Sequence, residues 1–184
     1  MNIEITHFLL LVYKAFGNSI NGKTVLQKRV YFLGHKLGIN LGYKPHYYGP
    51  YSPIIENTNS TLKALGYIEE KISGAGLDPS GFEMARHDFS LTTMGQSVSE
   101  MLASQRTEEW TRIQTAAKDI ETKSSGLNYL DLSIAAKAYF LCLNKGESIT
   151  FDEIKKVGKD YGWTIKQQDL EKAASFLRNL NLVQ

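Results

Sequence analysis

The sequence predicts a mainly helical α+β fold with a small β-hairpin, namely a winged helix-turn-helix followed by a second trihelical, winged-helix-like lobe. The first observation is the order of elements: three segments with helical apolar periodicity precede two strand-like segments, and a fourth helical segment follows. The second observation is that three more helical segments follow residue 126 without another pair of strands. We therefore expect a winged-helix domain at 1–105, a helix and linker at 106–126, and a trihelical domain at 127–184.

The first two helices are predicted from apolar residues that recur at helical spacing. A broad apolar stripe through Leu9 and Val12 predicts a buried first helix, which the turn-forming residues 17–22 should end. The second helix is predicted at 23–37. Its inward stripe contains Leu26, Val30, Leu33 and Leu37. The side expected to face outward carries Thr24, Lys28, Tyr31 and His35.

The third helix should begin after Ser52, because serine is a favoured N-cap and Pro53 suits the first helical position. Gly66 is placed to end it. Its predicted core stripe is Ile54, Ile55, Thr58, Leu62 and Leu65. The residues predicted to point outward, and therefore to form a functional face, are Glu56, Asn57, Asn59, Ser60 and Lys63.

Residues 67–72 and 82–91 are predicted to pair as a hairpin with a glycine-rich tip at 73–81. A fourth helix should follow, capped by Thr92 or Thr93. The residues predicted to face inward along this helix are Met94, Val98, Met101 and Leu102.

The chain should continue as a helix after a break near Thr107, and residues 123–126 have the composition of a hinge. A capping box formed by Thr150 and Glu153 marks the start of a later helix. The helices predicted in this half are 131–144, 151–161 and 167–180. The two halves end in similar helix-to-strand segments, which indicates either a degenerate repeat without its second hairpin or convergence on a common ending.

The composition favours a folded cytoplasmic protein and offers little for catalysis. Of 184 residues, 42% are apolar and 22% charged, no apolar segment is long enough to span a bilayer, and the start lacks a basic signal-peptide region. The one cysteine, Cys142, allows neither an intramolecular disulfide nor a paired thiolate metal site. The four histidines are scattered without metal-ligand spacing. We therefore expect no enzyme activity, catalytic residue, metal site, cofactor or membrane partner.

Short motifs along the chain resemble a known family. Leu26-Gln27-Lys28 and Tyr31-Phe32, followed by Tyr-Tyr-Gly-Pro-Tyr-Ser at 47–52 and Leu-Gly-Tyr-Ile at 65–68, are together similar to the YwgA-type proteins of bacteria and archaea over nearly the whole chain. The spacing of Leu-Gln-Lys, Tyr and Tyr-Gly-Pro also resembles the Panacea antitoxin domain. This resemblance implies a winged-helix-like body, no established enzyme activity and, on the Panacea side, direct binding of a partner protein such as a toxin.

The charges are unevenly distributed, although the net charge is only +2. Six cations and no carboxylate lie between Glu4 and Glu56, whereas the chain from Glu56 onward is net acidic. Because cations of this kind can hold phosphates, we expect DNA binding, with a solvated face balanced by distant carboxylates as the alternative. The predicted nucleic-acid-binding residues are Lys23, Lys28, Arg29, Asn57, Asn59, Ser60, Lys63 and Arg86.

Tyrosines cluster around Gly49-Pro50. One interpretation is a rigid turn that packs against the second helix and sets the angle of the third. The other is an interface, since tyrosine-rich patches with basic neighbours are typical anchors for a partner. The competing hypothesis is therefore an interaction module of antitoxin type, whereas in the DNA-binding hypothesis the C-terminal lobe serves for homodimerisation or partner binding. Its predicted partner-binding residues are Tyr31, Tyr47, Tyr48, Pro50 and Tyr51.

Overall fold

The computed structural model of the protein describes residues 3–74, 76, 85–146 and 149–184. Within these residues the chain is mainly helical with a small antiparallel sheet, as the sequence predicts. The elements are α1 (Ile5–Ala15), β1 (Ser19–Asn21), α2 (Lys23–Leu37), α3 (Pro53–Ala64), β2 (Ile68–Ser73), β3 (Arg86–Leu91), α4 (Thr93–Gln105), α5 (Thr107–Lys123), α6 (Tyr129–Lys145), α7 (Phe151–Asp160) and α8 (Gln167–Asn179). Most of the predicted hairpin tip, and the first residues of its returning strand, lie outside the described residues.

Helix starts follow the predicted capping residues. The Ser52 hydroxyl accepts a hydrogen bond from the Ile55 amide at 3.2 Å, and the Thr92 hydroxyl accepts one from the Gly95 amide at 3.1 Å. The capping box at Thr150 is also confirmed. A second capping box at Asn128 starts α6 two residues earlier than predicted, because its side chain satisfies the first amides of the helix.

The sheet contains a strand that the sequence does not predict. Residues 17–22 were expected to form only a turn, but β1 pairs with β3 and places Ile20 opposite Phe89. β2 pairs with the other edge of β3, so the strand order is β1-β3-β2 and both pairings are antiparallel. A strand of three residues with one apolar side chain has no periodicity to detect, and its pairing with the distant β3 defines it.

The two halves of the chain share one apolar core. The buried side chains form one connected cluster that runs from Phe8 to Leu180. α2 is central, since it packs against α5 on one side and α6 on another, and the Phe32 and Phe176 rings meet edge to face at 5.2 Å. The side chains of α1 from Phe8 to Tyr13 are buried, which confirms the predicted burial of the first helix.

The predicted outward side of α2 is partly wrong. Lys28 and Tyr31 are 2% and 1% exposed, because the segment 39–52 and α6 cover this side of the helix. His35, on the same side, is exposed. α2 therefore packs on two faces. The positions of its polar residues do not show which side of the helix faces solvent.

The predicted orientations of α3 and α4 need similar corrections. Ile54 and Leu65 were expected in the core of α3 but are 44% and 54% exposed. Asn59 was expected to point outward but is buried, where its Oδ1 accepts a hydrogen bond from the Tyr13 hydroxyl at 2.6 Å. On α4, Met94 and Met101 were expected inward, yet the helix buries a neighbouring face instead. The helix break falls at Arg106, beside the predicted position.

Among the described residues, no helix combines the length and the apolarity that a membrane span requires.

Candidate interaction surface

The candidate site is a protruding turn between α2 and α3. Lys44 and Tyr51 form a small antiparallel bridge, in which each amide donates to the other residue's carbonyl at 2.9 Å. The Gly49 amide then donates to the His46 carbonyl at 2.9 Å and closes the turn. We call Tyr47 and Tyr48, which lie inside this turn, the tyrosine tip.

α2 holds the base of the turn with two adjacent side chains. The Gln27 amide group donates to the Ser52 carbonyl at 3.1 Å, and its oxygen accepts from the Ser52 amide at 2.9 Å. The Lys28 ammonium group donates to the Pro50 carbonyl at 2.7 Å. Leu-Gln-Lys and Tyr-Gly-Pro-Tyr-Ser, the two motifs that carry the family resemblance, are therefore in direct contact across a buried interface.

The C-terminal half holds the outer part of the same turn. The Trp163 indole N–H donates to the His46 carbonyl at 2.8 Å, and the Ser133 hydroxyl donates to the Tyr48 carbonyl. Gly49 has φ +94°, and a Cβ atom there would lie 3.0 Å from Lys137 Cγ. Glycine favours this backbone conformation and leaves room for the close approach to α6. The position and shape of the turn are thus fixed from both halves of the chain.

The tyrosine tip presents its rings to solvent. Tyr47 is 64% exposed and Tyr48 46% exposed, and their rings meet edge to face with centroids 4.9 Å apart. Tyr129 and Leu130, at the start of α6, are also about half exposed. They precede Ser133, which donates to the Tyr48 carbonyl, by about one helical turn.

Burial changes the charge state of the lysine beneath the tip. Removal of the Lys28 ammonium group from water lowers its pKa to about 7, and the positive charge of Lys137 contributes in the same direction. Partial burial also lowers the pKa of Lys137, whose Nζ lies 5.5 Å from the centre of the Trp163 ring. Lys28 therefore contributes hydrogen bonding inside the protein and little charge to its surface.

The predicted partner-binding residues divide into an exposed and a buried set. Tyr47 and Tyr48 are exposed and Tyr51 is partly exposed. Tyr31 and Pro50 are buried and cannot contact a partner directly, which corrects their predicted role. Tyr31 instead packs edge to face against neighbouring rings, which are those of Phe32, His35, Tyr43 and Tyr139.

The predicted nucleic-acid-binding residues do not form one cationic surface. Lys28 and Asn59 are buried and inaccessible to a phosphate or base, so their predicted role is wrong. Arg29 is half-buried, with its guanidinium carbon 4.6 Å from the centre of the Phe16 ring. Lys23 is exposed at the start of α2.

On the exposed side of α3, Asn57, Ser60 and Lys63 remain accessible, but the charge there is balanced. Lys63 forms an ion pair with Glu70, and His87 Nδ1 lies 2.6 Å from the same carboxylate. Both contacts lower the pKa of Glu70, which therefore stays ionised. Arg86 is exposed on β3 and pairs with Asp88 at 2.8 Å.

Carboxylates from the part of the chain after Glu56 also pair with some of the six cations that lie between Glu4 and Glu56. Lys14 lies 3.8 Å from Glu100, and Lys36 lies 2.7 Å from Asp119. With Lys28 buried and Arg29 half-buried, Lys23 and Lys44 are the exposed members of the six. In the folded protein, carboxylates that are distant in the sequence therefore balance part of the positive charge of these residues. The six cations do not form one cationic face.

Two residues that hold the tip, Ser133 and Trp163, were not among the candidates. Nothing in the sequence around Ser133 distinguishes it from other helical serines, because its role depends on a contact with a residue 85 positions away. Trp163 carried a weak signal, since a tryptophan in a polar turn needs a partner for its indole N–H.

Within the described parts of the chain, no group of three or more His, Cys, Asp or Glu side chains is arranged to hold a metal ion. Burial raises the pKa of the half-buried Cys142 thiol, so this group is mainly protonated at neutral pH. No family model matches the sequence, and no curated protein matches it.

Proposed function

We propose that the protein is a non-enzymatic, cytoplasmic interaction module of antitoxin type, which binds a partner protein through Tyr47 and Tyr48. One observation carries this proposal: two exposed tyrosines stand on a turn whose carbonyl groups are held from both halves of the molecule. Lys28 supports the same turn from below through Pro50. The resemblance to the Panacea domain, which implies binding of a partner protein, supports the same function.

A rigid tyrosine pair suits protein recognition for a physical reason. Tyrosine offers a large amphipathic surface with few rotatable bonds, and ordering flexible groups at an interface costs about 0.5–1.5 kcal/mol for each mobile side chain. Because the backbone of the turn is already fixed by hydrogen bonds, a partner would not have to order it. The tip is therefore preorganised for binding.

The neighbouring gene provides the first test. We expect a short adjacent reading frame whose product stops growth unless this protein is co-expressed, and which copurifies with it in a stoichiometric complex. The double variant Tyr47→Ala/Tyr48→Ala should lose growth protection and weaken the complex by roughly 30-fold or more, as for interface hot spots.

Ile72→Ala is the matched control, because Ile72 is 59% exposed on β2, away from the turn. This variant should protect growth and bind the partner like the natural protein. Retention of full protection and binding by the double tyrosine variant would contradict the proposal.

For the fold, we infer a winged helix at 1–105 and a related trihelical lobe at 127–184, joined by residues 106–126. The order helix, strand, helix, helix, strand, strand, with the last strand central in the sheet, supports the first assignment. The three helices α6, α7 and α8 support the second.

DNA binding is a second candidate. In a winged helix α3 would be the recognition helix, and it exposes Asn57, Ser60 and Lys63. If it operates, random duplex DNA should bind at low salt and dissociate steeply as salt rises. Lys63→Glu should weaken this binding, whereas Lys118→Glu, on the exposed side of α5, should not. Fluorescence anisotropy would measure both, and an absence of binding at low salt would eliminate this candidate.

A further inference from the structure

α4 carries an apolar stripe that the rest of the described chain leaves exposed. Met94, Val98 and Met101 recur at helical spacing, yet Met94 and Met101 are each 49% exposed and Val98 is partly exposed. The side of α4 that packs against the protein carries Gly95, Ser99, Leu102 and Ala103.

Leu65 continues the stripe beyond the helix. It is 54% exposed at the end of α3, and its neighbour Gly66 lies so close to Met94 that an added Cβ atom would sit 3.3 Å from the Met94 Cε atom. The end of α3 that carries Leu65 therefore lies beside Met94. We call Leu65, Met94, Val98 and Met101 the α4 stripe.

We propose that the α4 stripe is a homodimer interface, in which α4 packs antiparallel against α4 of a second copy of the chain around a twofold axis near Val98. Charge favours a second copy as the occupant. A twofold axis places a surface against itself, so a surface whose charges are all of one sign would meet like charges. α4 contains one ionisable side chain, Glu100, and that carboxylate pairs with Lys14 of its own chain. The other exposed polar residues of α4 are uncharged, namely Thr93, Gln96, Ser97, Ser104 and Gln105.

The apolar residues of the stripe have nearly the same spacing when the helix is followed in either direction. Met94 and Met101 stand on either side of Val98, so an antiparallel partner sets Met94 of one copy opposite Met101 of the other. Methionine side chains are flexible and adapt to such symmetric contacts. Because the patch is limited to one helix face and one added leucine, the interface is at the small end of the range for specific complexes. We therefore expect weak, reversible dimerisation that depends on protein concentration.

Sedimentation equilibrium of the full chain over a wide concentration range tests this proposal. The natural protein should dimerise reversibly. Met94→Lys and Met101→Glu should each weaken the dimer by at least about tenfold, because each places a charge opposite an apolar side chain. The double variant Met94→Lys/Met101→Glu should recover most of the affinity, because each introduced charge then faces its opposite on the second copy.

Leu130→Lys is the matched control, because Leu130 is also 49% exposed but lies on α6. It should dimerise like the natural protein, and circular dichroism should show that all variants keep their helical content. A natural protein that is monomeric throughout, or single variants with unchanged affinity, would overturn the proposed dimer. Single variants that weaken association without recovery in the double variant would overturn the antiparallel arrangement.

Discussion

At the scale of single residues, Lys28 has a different role from the one that its charge indicates. Its side chain is 2% exposed, and its ammonium group donates to the Pro50 carbonyl at 2.7 Å. No ion pair among the described residues satisfies its positive charge. Burial without a carboxylate favours the neutral amine, which still donates one hydrogen bond to the turn.

The stability of the protein should therefore depend on pH through Lys28. Its pKa is about 7 in the folded protein and 10.5 in the unfolded chain, so between these values the unfolded chain binds one more proton. The free energy of unfolding should rise with pH from 7 to about 10, by up to about 1.4 kcal/mol per pH unit. Above pH 10 it should fall again, because burial raises the pKa of Tyr13 and Tyr31 only in the folded state.

Urea unfolding at a series of pH values measures this dependence, and Lys28→Met should remove most of the rise between pH 7 and pH 10. The remainder comes from Lys137, whose pKa burial also lowers. Lys23→Met, on the exposed start of α2, should keep the whole rise. An unchanged slope in Lys28→Met would show that another group titrates.

At the scale of elements, close packing explains why α4 lies where it does. Gly95, in its first turn, faces the Tyr67 backbone so closely that an added Cβ atom would lie 1.9 Å from the Tyr67 carbonyl oxygen. That carbonyl belongs to the connection from α3 into β2, and it also accepts a hydrogen bond from the Thr92 amide at 3.0 Å. The contact therefore joins α3, the sheet and α4.

Gly95→Ala should disrupt this junction, because a backbone atom cannot move aside as a flexible side chain can. We expect a loss of about 3 kcal/mol or more in the free energy of unfolding, although alanine is the better helix former. Chemical denaturation would measure it, with Ser97→Ala on the exposed side of α4 as the control. A stability equal to that of the natural protein would contradict the packing described for α4.

The sequence predicts the elements well where the signal is local. Ser52, Thr92 and Thr150 mark helix starts because a hydroxyl satisfies an amide within its own turn. The sequence does not predict β1, because the strand with which it pairs lies about 70 residues away. The orientations of α2 and α4 depend on which distant helix covers them, and helical spacing does not reveal this for Tyr31 or Met94.

The candidate site shows the same division. The motifs around Gln27 and Gly49 stand out in the sequence because together they carry the family resemblance. The structure brings the two motifs into contact. The exposure of Tyr47 and the burial of Tyr31 depend on how α6 packs over the turn, which no local pattern encodes.

At the scale of the whole molecule, the turn that carries Tyr47 and Tyr48 joins the two halves. α2 holds it from below, and α6 and Trp163 hold it from the C-terminal side. The apolar core is also continuous between the halves, with Phe32 against Phe176. The shape of the tip is therefore a property of the complete fold and not of the turn sequence alone.

Trp163→Phe should weaken this connection while it keeps most of the apolar contact. Loss of the indole N–H leaves the His46 carbonyl with the Gly49 amide as its remaining partner, so we expect a cost of about 1 kcal/mol. Hydrogen exchange at the amide of Gly49 should become faster, whereas exchange in the middle of α1 should not change. Equal exchange at Gly49 in both proteins would contradict the role given to Trp163.

Site-specific photo-cross-linking in the native host tests the central proposal most directly. A photoreactive phenylalanine at position 47 or 48 samples the tyrosine tip, and the same residue at position 57 or 60 samples the exposed side of α3. Recognition through the tip predicts one discrete protein adduct from positions 47 and 48 and none from 57 and 60. Adducts from 57 and 60 alone, with protein or nucleic acid, would contradict it.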